Sequence, residues 1–338
     1  MHDNSLALLT GASGFIGGKL AKRLLREGRR VRAYARRPLP ELEAHGIEVV
    51  VGELHDPAAL HRSCTGATSV FHVAARVGVW GPAEEFHRVN IAGTAALLAA
   101  AHKTGVERFI FTSSPSVVYS GDDLRGVDES APLCTRAPCA YPTSKAAAER
   151  LVCTANCPQL HTVALRPHLV WGPGDHHLVP RIVALARTDR LRIVGRGENR
   201  VDLTHIDNVV TAHLLAERAL AAAAAPAAGR AYFITNDEPV ALWPWINALL
   251  LRLGAMPIRR HVSLRSARTV GAVCEGLWTL LPLRGEPPMT RFAAGELATD
   301  HWFCIEAAKR DLGYVPQVSM AAGLETYLAG LRSQPAGE

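Results

Sequence analysis

A glycine-rich turn near the N-terminus constrains the fold of this chain more than any other feature. The turn, TGASGFIGG at residues 10–18, follows an apolar run at residues 6–9 and precedes apolar residues at helical spacing, Ile16, Leu20 and Leu24. A strand, a glycine turn and a helix in this order are typical of dinucleotide-binding proteins, because the glycines let a pyrophosphate approach backbone N–H groups at a helix N-terminus. A tight turn without a ligand is the alternative, and the position directly after a strand favours the cofactor.

Short apolar or β-branched runs alternate with helical patterns over most of the chain. The runs lie at residues 30–35, 47–51, 68–73, 108–112 and 162–165. The helical patterns lie at residues 86–103, from about residue 141 onwards, and at residues 207–220. Strands that alternate with helices predict a parallel sheet with right-handed crossovers. We therefore expect an α/β fold, a Rossmann doubly wound parallel sheet with a smaller, mostly helical C-terminal substrate lobe.

The residues that follow the second strand predict which dinucleotide binds. An acidic residue there would bond the ribose 2′-hydroxyl of NAD, whereas an arginine accommodates the 2′-phosphate of NADP. Here the strand ends at Ala35, and Arg36 and Arg37 follow. Guanidinium groups suit a phosphate well, so NADP(H) is the predicted cofactor, and two solvated loop arginines are the alternative.

The length of the chain suits a Rossmann domain with an appended lobe, since 338 residues exceed one average domain. We predict an NADP-binding Rossmann domain at residues 1–166, to which residues 201–235 return. Residues 167–200 and 236–332 are predicted to form the substrate-binding lobe.

Composition and cysteine spacing exclude several other classes of protein. The net charge of +6 permits nucleic-acid binding, but no basic run is interleaved with aromatic residues, so we expect no nucleic-acid partner. The seven cysteines include no C-x-x-C pair and no partners at zinc spacing. We therefore expect no metal and interpret them as buried thiols in a reducing cytosol. The N-terminus enters the first strand directly, which predicts a cytoplasmic protein without a signal peptide.

Two stretches carry the predicted chemistry. Tyr141 and Lys145 lie four positions apart, so on a helix both side chains share one face. A phenol with a pKa of about 10 is a poor acid–base catalyst at neutral pH, and a neighbouring ammonium lowers that pKa. The serine-rich end of the fifth strand offers hydroxyl groups that can donate to a substrate oxygen while negative charge builds on it. The residues alone do not choose among Ser113, Ser114 and Ser116.

With these residues in place, the chain resembles an extended short-chain dehydrogenase/reductase, and within that group the 3β-hydroxysteroid dehydrogenase-like branch. The matching pieces span nearly the whole length. They are the glycine turn, Gly52-Glu53-Leu54, His72-Val73-Ala74-Ala75, Asn90-Ile91-Ala92-Gly93-Thr94, the Thr-Ser-Ser strand end, the Tyr141/Lys145 pair, Arg166–Asp175 and Asp202–Asn208. Glu53 departs from the aspartate usual in the family, and the departure concerns only an adenine contact.

Further motifs narrow the resemblance to the β-keto acid reductases of bacterial long-chain olefin biosynthesis. These motifs are Trp80-Gly81, Pro115-Ser116-Val117, Trp171–His176, Gly285–Arg291 and His301-Trp302. The resemblance implies NADPH-dependent reduction of the ketone of a β-keto acid that carries two alkyl chains. It also implies a lipid-like acid as the small-molecule substrate, a homodimer, and assembly with the other olefin-pathway enzymes.

The family implies a role for each matching residue. Tyr141 is expected to be the acid–base, and Lys145 its pKa tuner and a ribose ligand. Ser114 is expected to be the hydroxyl beside the substrate oxygen, and Asn90 a support of the active-site helix. The expected cofactor-binding residues are Gly11, Ser13, Gly14, Phe15, Ile16, Gly17, Arg36, Arg37, Glu53, Leu54, Ala74, Ala75, Tyr141, Lys145 and His168.

The carboxylate of a β-keto acid needs a cationic or N–H-rich seat near the ketone. His168, His176 and His177 are the titratable groups within sequence reach. An arginine, a protonated histidine or backbone donors would neutralise the carboxylate. The alkyl chains need an apolar cleft, which Trp80 and the apolar residues at 270–281 are expected to line.

Three other functions remain open at this point. A sterol-4-carboxylate or 3β-hydroxysteroid dehydrogenase uses the same scaffold and a similar relation of oxygen to carboxylate. A nucleotide-sugar epimerase or dehydratase is disfavoured by the apolar C-terminal pattern and by the sterol-type motif at residues 204–208. A redox-sensing regulator that binds NADP without turnover commonly loses the Tyr/Lys pair, which this chain keeps.

One C-terminal segment carries a full helical stripe of apolar residues. The stripe comprises Val270, Val273, Cys274, Leu277, Trp278 and Leu281. Glu275 and Pro282 interrupt the segment, which is too short to cross a bilayer. The stripe predicts a helix that faces the core, a cap over an acyl channel, or an interfacial helix that meets lipid or a partner enzyme.

Overall fold

The computed structural model describes residues 5–281 and 283–333, and a parallel sheet lies at its centre. The strands are β1 (Leu6–Thr10), β2 (Arg30–Ala35), β3 (Glu48–Val51), β4 (Ala67–His72), β5 (Arg108–Thr112), β6 (Leu124–Val127), β7 (His161–Pro167), β8 (Val170–Trp171), β9 (Ile193–Val194), β10 (Arg200–Val201), β11 (Thr204–His205), β12 (Arg230–Ile234), β13 (Val240–Ala241), β14 (His261–Val262) and β15 (His301–Phe303). The α-helices are α1 (Phe15–Arg26), α2 (Pro40–Glu43), α3 (Pro57–Cys64), α4 (Ala83–Phe86), α5 (Gly93–Lys103), α6 (Ala140–Thr154), α7 (Leu178–Arg187), α8 (Ile206–Ala221), α9 (Leu242–Arg252), α10 (Leu264–Leu280), α11 (Arg291–Glu296), α12 (Glu306–Leu312) and α13 (Met320–Ser333). A π-helical turn spans His87–Ala92, and a 3₁₀ turn spans Pro115–Val118.

The main sheet consists of seven parallel strands in the order β3-β2-β1-β4-β5-β7-β12. Successive strands lead outward in one direction from β1 to β3, and β4 then starts on the other side of β1. In open α/β sheets, ligands bind beyond the carboxyl ends of the strands at such a switch point. The glycine turn that follows β1 therefore lies where a dinucleotide is expected, and the predicted doubly wound Rossmann sheet is confirmed.

Helices cover both faces of the sheet because its central strands are apolar on both sides. In β1, Ala7 and Leu9 face one core, and Leu6 and Leu8 face the other, as the two-residue period of a strand requires. The first core includes side chains of α1 and α8, and the second includes side chains of α3, α5 and α6. Because both faces of the sheet are buried, the carboxyl ends of the strands are fixed in position, and the site is built at this edge.

The helix predicted at residues 86–103 is present but is not regular. It consists of α4, the π-helical turn and α5 in succession. A π-helical turn carries an extra residue and is frequently found at functional sites. Asn90 is buried in this turn. Apolar spacing alone does not reveal one extra residue in a turn, so the sequence predicted an uninterrupted helix.

A further apolar core lies in the C-terminal part of the chain, where Trp171 and Trp243 are fully buried. The connections between this part and the main sheet are more numerous than the sequence indicated. β6 pairs with β15, and Phe303 and Tyr314 pack into the core beside the main sheet. Segments on both sides of the expected boundaries thus share strands and cores. The division at residue 166, with residues 201–235 returning, stays a prediction.

The seven cysteines are free thiols, and only Cys64 is buried. The prediction that they are all buried is wrong for the other six, which are only partly buried. Three of these, Cys134, Cys153 and Cys157, pack against the edges of the cores beside the main sheet. Within residues 5–281 and 283–333, no group of three or more metal-ligating side chains is clustered. None of the helices described there is long and apolar enough to span a membrane.

The apolar stripe at residues 270–281 lies on α10 and does not face the core. Four of its six side chains are exposed, those of Val270, Val273, Leu277 and Leu281. The helix packs on the protein through Ala267, Gly271 and Glu275 instead. The core-facing alternative is therefore wrong. The spacing of the apolar residues shows that they share one face of a helix, but not that this face packs on the protein.

A buried carboxyl group, that of Asp202, lies beside β15, the strand that pairs with β6 and β10. The Asp202 N–H donates to the His301 carbonyl oxygen at 3.1 Å, and Asp202 Oδ2 accepts from the Phe303 N–H at 2.8 Å. The residue is fully buried. Burial raises the pKa of Asp202 to about 7, so ionisation of this carboxyl opposes folding.

Substituting Asp202→Asn should flatten the dependence of stability on pH. The folded pKa of about 7 lies above the ordinary value of 3.8, so the folded protein binds this proton more tightly than the unfolded chain does. The resulting stabilisation is full below the ordinary pKa and is lost as the pH rises through the folded one. The loss amounts to at most on the order of 4 kcal/mol.

Urea unfolding at several pH values across this range measures the effect. The wild type should become less stable relative to Asp202→Asn as the pH rises. Asp122→Asn, which changes an exposed carboxylate, should keep the wild-type slope. A slope in Asp202→Asn equal to that of the wild type would contradict the assignment.

Candidate active site

The glycine turn after β1 forms a close backbone crossing that only glycine permits. Gly11 has a φ of +74°, and a Cβ atom there would lie 2.7 Å from Ala74 N. A Cβ atom on Gly17 would lie 2.1 Å from the Gly11 carbonyl oxygen. α1 begins directly after the turn, and its first turn carries no acidic side chain. The unpaired N–H groups of that first turn are therefore available to an anion such as a pyrophosphate.

The predicted ligands of the adenosine half lie after β2 and β3. Arg36 and Arg37 are exposed, and neither forms an ion pair among the residues described. Glu53 is exposed, and Leu54 packs against Gly93 at the start of α5. Two guanidinium groups thus stand unpaired by carboxylates at the strand end where a 2′-phosphate is expected.

A directed chain of hydrogen bonds joins the end of β1 to the end of β4. The Ala74 N–H donates to Thr10 Oγ1 at 3.1 Å, and Thr10 Oγ1 lies 2.8 Å from His72 Nδ1. His72 Nε2 lies 2.9 Å from Thr94 Oγ1, which donates to the Asn90 carbonyl oxygen at 2.6 Å. Since Thr94 gives its one hydroxyl proton to that carbonyl, His72 carries its proton on Nε2 and Thr10 donates to Nδ1. Burial lowers the pKa of His72 to about 3, so the ring is neutral.

The side chain of Asn90 connects the loop after β4 to α6. Asn90 Oδ1 accepts from the Arg76 N–H at 2.7 Å, and Nδ2 donates to the Arg76 carbonyl oxygen at 3.0 Å. Nδ2 also donates to Ser144 Oγ at 3.0 Å, and Ser144 Oγ donates to the Tyr141 carbonyl oxygen at 2.9 Å. Asn90 therefore holds this loop against the helix that carries Tyr141.

The three serines after β5 have different partners. Ser113 is buried, and its hydroxyl donates to Glu149 Oε2 at 2.6 Å. Ser116 Oγ donates to Ser114 Oγ at 3.0 Å, and Ser114 is the serine whose side chain acts on the phenol of Tyr141 and lowers its pKa. Ser113 is thus engaged behind the sheet edge, and Ser114 is the hydroxyl next to Tyr141.

The phenol of Tyr141, in the first turn of α6, keeps its proton at neutral pH. Burial has the largest influence and raises the pKa of Tyr141, whereas the side chain of Ser114 lowers it. A protonated phenol beside a second hydroxyl can donate to an oxygen that gains negative charge. This arrangement is suited to the reduction of a carbonyl group.

The ammonium group of Lys145 is buried between α6 and β5. Its Nζ donates to the Thr112 carbonyl oxygen at 2.6 Å and lies 4.0 Å from the centre of the Phe111 ring. Burial lowers the pKa of Lys145 to about 7, whereas the carboxylate of Glu149 raises it. Lys145 lies one turn after Tyr141 on α6, as their spacing predicts.

Sequence reasoning missed a buried ion pair behind the site. Arg166 Nη2 lies 2.6 Å from Glu149 Oε1, and both side chains are less than 5% exposed, at 4% and 2%. The guanidinium also lies over the Phe233 ring, 4.8 Å from its centre. Because Glu149 accepts from Ser113 as well, the pair joins α6 to β5 and β7. The four-residue spacing from Lys145 to Glu149 is the sequence signal that could have revealed it.

A second missed contact lies after β7. His168 Nε2 is 2.6 Å from His301 Nδ1, and His301 Nε2 is 2.8 Å from the Glu296 carbonyl oxygen. A carbonyl oxygen only accepts, so His301 carries its proton on Nε2 and His168 donates to His301 Nδ1. Burial lowers the pKa of His168 well below its ordinary value. His168 is therefore neutral and does not supply the positive charge that the sequence suggested for a substrate carboxylate.

The other two histidines predicted to bind a carboxylate, His176 and His177, are exposed and directly precede α7. The N-terminus of α7 is already taken by Asp175. Its carboxylate accepts from the N–H groups of His177, Leu178 and Val179 at 2.7, 3.0 and 2.8 Å. These backbone donors are therefore not available to a substrate.

The predicted site residues share one edge of the sheet. Ser13, Gly14 and Ile16 follow β1 or open α1, and Ala75 follows β4. The serines follow β5, and His168 follows β7. The carboxyl ends of parallel strands meet at one edge, so segments far apart in sequence are gathered there. The lobe also reaches this edge, since a Cβ atom on Gly174 would lie within 4 Å of side-chain atoms of α1.

Comparison with known proteins agrees with this geometry. The profile of the 3-beta hydroxysteroid dehydrogenase/isomerase family matches residues 8–265. Over 320 residues the chain is 46% identical to the 2-alkyl-3-oxoalkanoate reductase of Stenotrophomonas maltophilia (strain K279a), a match that covers 94% of this chain and 96% of that protein. It is 32% identical over 320 residues to the decarboxylating sterol-4-alpha-carboxylate 3-dehydrogenase of Mus musculus, covering 93% of this chain and 88% of that protein.

A solved structure shares the whole architecture. MoeE5, determined in complex with UDP-glucose and NAD, matches with a TM-score of 0.74 and 26% identity over 96% of this chain and 98% of that chain. The resemblance drawn from the glycine turn, the Thr-Ser-Ser strand end and the Tyr/Lys pair is confirmed. The chain belongs to the 3-beta hydroxysteroid dehydrogenase/isomerase family and is an oxidoreductase.

Proposed function

We propose that this protein is an NADP(H)-dependent reductase that transfers a hydride to the 3-keto group of a 2-alkyl-3-oxoalkanoate and yields the 2-alkyl-3-hydroxyalkanoate. The position of the Ser114 hydroxyl, directly after β5 and close enough to the phenol of Tyr141 on α6 to influence its pKa, carries the proposal. It places two proton donors side by side at the edge of the sheet where a substrate oxygen is expected. The 46% identity to a reductase named for that substrate supports the substrate class.

The residues around the glycine turn fit a dinucleotide. Gly11 and Gly17 leave space that a side chain would fill, and the first-turn amides of α1 suit a pyrophosphate. Arg36 and Arg37 suit a 2′-phosphate, which favours NADP(H). The NAD bound to MoeE5 supports a nicotinamide cofactor. When bound, the cofactor supplies the hydride that reduces the ketone carbon.

The remaining residues proposed to line the cofactor follow from their positions on the same edge. Tyr141 and Lys145 are proposed to contact the ribose. The others are Ser13, Gly14, Phe15, Ile16, Glu53, Leu54, Ala74, Ala75 and His168. The ring of His168 is held by His301, so its proposed part is to shape the wall of the cleft.

The proton is proposed to come from Tyr141. Its raised pKa keeps the phenol protonated at neutral pH, which favours the reductive direction. Ser114 donates a hydrogen bond to the ketone oxygen as negative charge develops on it. Ser116 Oγ donates to Ser114 Oγ and so leaves the Ser114 proton for the substrate. The pKa of Lys145 is lowered to about 7 and that of Tyr141 is raised, so Lys145 is proposed to bind the ribose rather than to hold Tyr141 as a phenolate.

The proposed substrate has a carboxylate next to its ketone and two alkyl chains. The sterol dehydrogenase that the chain resembles acts, by its name, at carbon 3 of a 4-carboxylate, which is the same relation of oxygen to carboxylate as in a β-keto acid. His168 is neutral and Asp175 occupies the N-terminus of α7. The carboxylate therefore needs an arginine or other backbone donors.

We further propose a place for the reaction in the cell. The resemblance to the olefin-pathway reductases supports a cytoplasmic homodimer that works with the other enzymes of long-chain olefin biosynthesis. The reaction between a hydroxy acid and its ketone needs no metal ion in this scheme, because Tyr141 and Ser114 provide the polarising donors.

Turnover should collapse in Tyr141→Phe. The substitution removes the proton donor and retains the ring, so cofactor binding should survive while the rate falls by about 10²–10⁴-fold. Reduction of NADP+ with a 2-alkyl-3-hydroxy acid measures the rate, and quenching of tryptophan fluorescence measures cofactor binding. Tyr327→Phe, which changes a buried tyrosine of the lobe, is the matched control. Near-normal turnover in Tyr141→Phe would show that another group transfers the proton.

Arg36→Ala should weaken NADPH binding and leave NADH binding nearly unchanged. A charge-assisted hydrogen bond to a phosphate contributes about 1.5–3 kcal/mol, which corresponds to about 10–150-fold in the dissociation constant. Arg30→Ala removes an exposed guanidinium from the opposite end of the same strand and should change neither affinity. If Arg36→Ala loses NADPH and NADH equally, the preference for NADP(H) has no basis in this residue.

A substrate panel tests the proposed function. Purified enzyme is offered NADP+ with 2-alkyl-3-hydroxy acids of graded chain length, with decarboxylated alcohols, with sterols with and without a 4-carboxylate, and with nucleotide sugars. We expect the 2-alkyl-3-hydroxy acids to be oxidised with the highest kcat/KM. Activity on the sterols alone would assign the chain to the sterol dehydrogenases. Activity on the decarboxylated alcohols equal to that on the acids would remove the role of the carboxylate.

A further inference from the structure

Helix α10 presents an apolar face to solvent and packs on the protein through the opposite face. Its buried residues are Ala267, Gly271 and Glu275, each one turn from the next. A Cβ atom on Gly271 would lie 2.7 Å from Arg291 N, so the helix rests directly on the backbone that enters α11. This narrow contact of small and polar residues leaves most of the helix surface uncovered.

The uncovered face is a continuous apolar stripe. It consists of Val270, Val273, Leu277 and Leu280, with Leu281 and Leu283 directly after the helix, all of them exposed. Spacings of three and four residues place these side chains in one row along α10. Leu280 is 82% exposed. Amphipathic helices normally bury such a row, and a contiguous exposed apolar surface marks a site of interaction.

The carboxylates near the stripe are neutralised. Residues 264–291 contain four arginines and two glutamates. Glu275 Oε2 lies 2.6 Å from Arg291 Nε, and Glu286 Oε2 lies 3.1 Å from Arg181 Nη1. With both glutamates in ion pairs, the charge that remains along this segment is positive.

An open, shallow surface depression of about 440 Å³ lies along the N-terminal half of α10. It is lined by Leu264, Arg265, Arg268, Thr269 and Ala272. Thr269 lies one turn before Val273 on α10, so the depression adjoins the apolar stripe. Arg265 is exposed and forms no ion pair in the part of the chain that the structure describes. Arg268 donates to the Gly121 carbonyl oxygen at 3.1 Å and keeps further N–H donors.

We propose that α10 docks this enzyme on the surface of an anionic lipid bilayer. Arg265 and Arg268 then meet phosphate headgroups, and the stripe enters the region between headgroups and acyl chains. Interfacial helices combine the same two features, an apolar face and arginines beside it. A second copy of this chain is a poorer occupant, because a stable dimer buries roughly 800 Å² of each partner, more than one row of side chains on one helix provides.

The segment that follows the apolar stripe adjoins the loop after β4. A Cβ atom on Gly78 would lie 3.2 Å from Glu286 Oε1, and Gly78 follows the Arg76 backbone that Asn90 holds. A lipid-like acid that enters from the bilayer would therefore pass next to this loop. The docking itself does not depend on which ketone the enzyme reduces.

Vesicle flotation of the full chain tests the proposal. We expect binding to phosphatidylcholine vesicles that contain about 30% phosphatidylglycerol, and at least about fivefold weaker binding to pure phosphatidylcholine or at raised salt. Val273→Asp combined with Leu277→Asp should abolish binding. Val315→Asp is the matched control, since Val273 and Val315 are both 58% exposed, and Val315 lies after α12. Arg265→Glu should weaken binding to the anionic vesicles by about fivefold or more.

All of the substituted side chains are exposed, so each variant should fold like the wild type. An unchanged melting temperature and unchanged NADPH binding check this. Equal binding to neutral and anionic vesicles would overturn the proposal. So would an equal loss of binding in Val315→Asp. Sedimentation equilibrium tests the remaining occupant, a second copy of this chain. If the wild type does not bind vesicles but forms a dimer that the double variant breaks, this face is an interface between copies of the chain.

Discussion

The close approach of β1 and β4 at their carboxyl ends is the constraint on which the rest of the site depends. A side chain at Gly11 would collide with the backbone of Ala74, and the chain of hydrogen bonds through Thr10, His72 and Thr94 runs between the same two strand ends. It has a single direction because the buried ring of His72 is neutral. It ends on the π-helical turn whose asparagine holds α6, so one set of bonds positions both the glycine turn and the helix that carries Tyr141.

The features that the sequence could predict are local ones. The alternation of strands and helices identified the Rossmann sheet, because the two-residue and 3.6-residue periods arise within each element. The spacing of Tyr141 and Lys145 is likewise a property of a single helix. The choice among the three serines after β5 was not accessible in this way. It depends on Glu149, which takes the hydroxyl of Ser113 from another element and leaves Ser114 at the phenol.

The features that the sequence missed join residues far apart in the chain. His168 and His301 are separated by 133 positions, and no local pattern shows that their rings meet or that burial lowers the pKa of His168. The pairing of β6 with β15 crosses the predicted domain boundary for the same reason. On α10 the spacing of the apolar residues predicted an apolar face, but it did not predict whether that face meets the core or the solvent. The close contact of Gly271 with the backbone before α11 turns the stripe outward.

In the proposed reaction, a hydride passes between carbon 3 of a 2-alkyl-3-hydroxy acid and the cofactor while Tyr141 moves the proton. The most direct test uses the hydroxy acid deuterated at carbon 3, with NADP+ and the wild-type enzyme, and follows the label by mass spectrometry and NMR. The account predicts that the deuterium appears at carbon 4 of the reduced nicotinamide. Deuterium that remains in the acid, or is released to water, would contradict it.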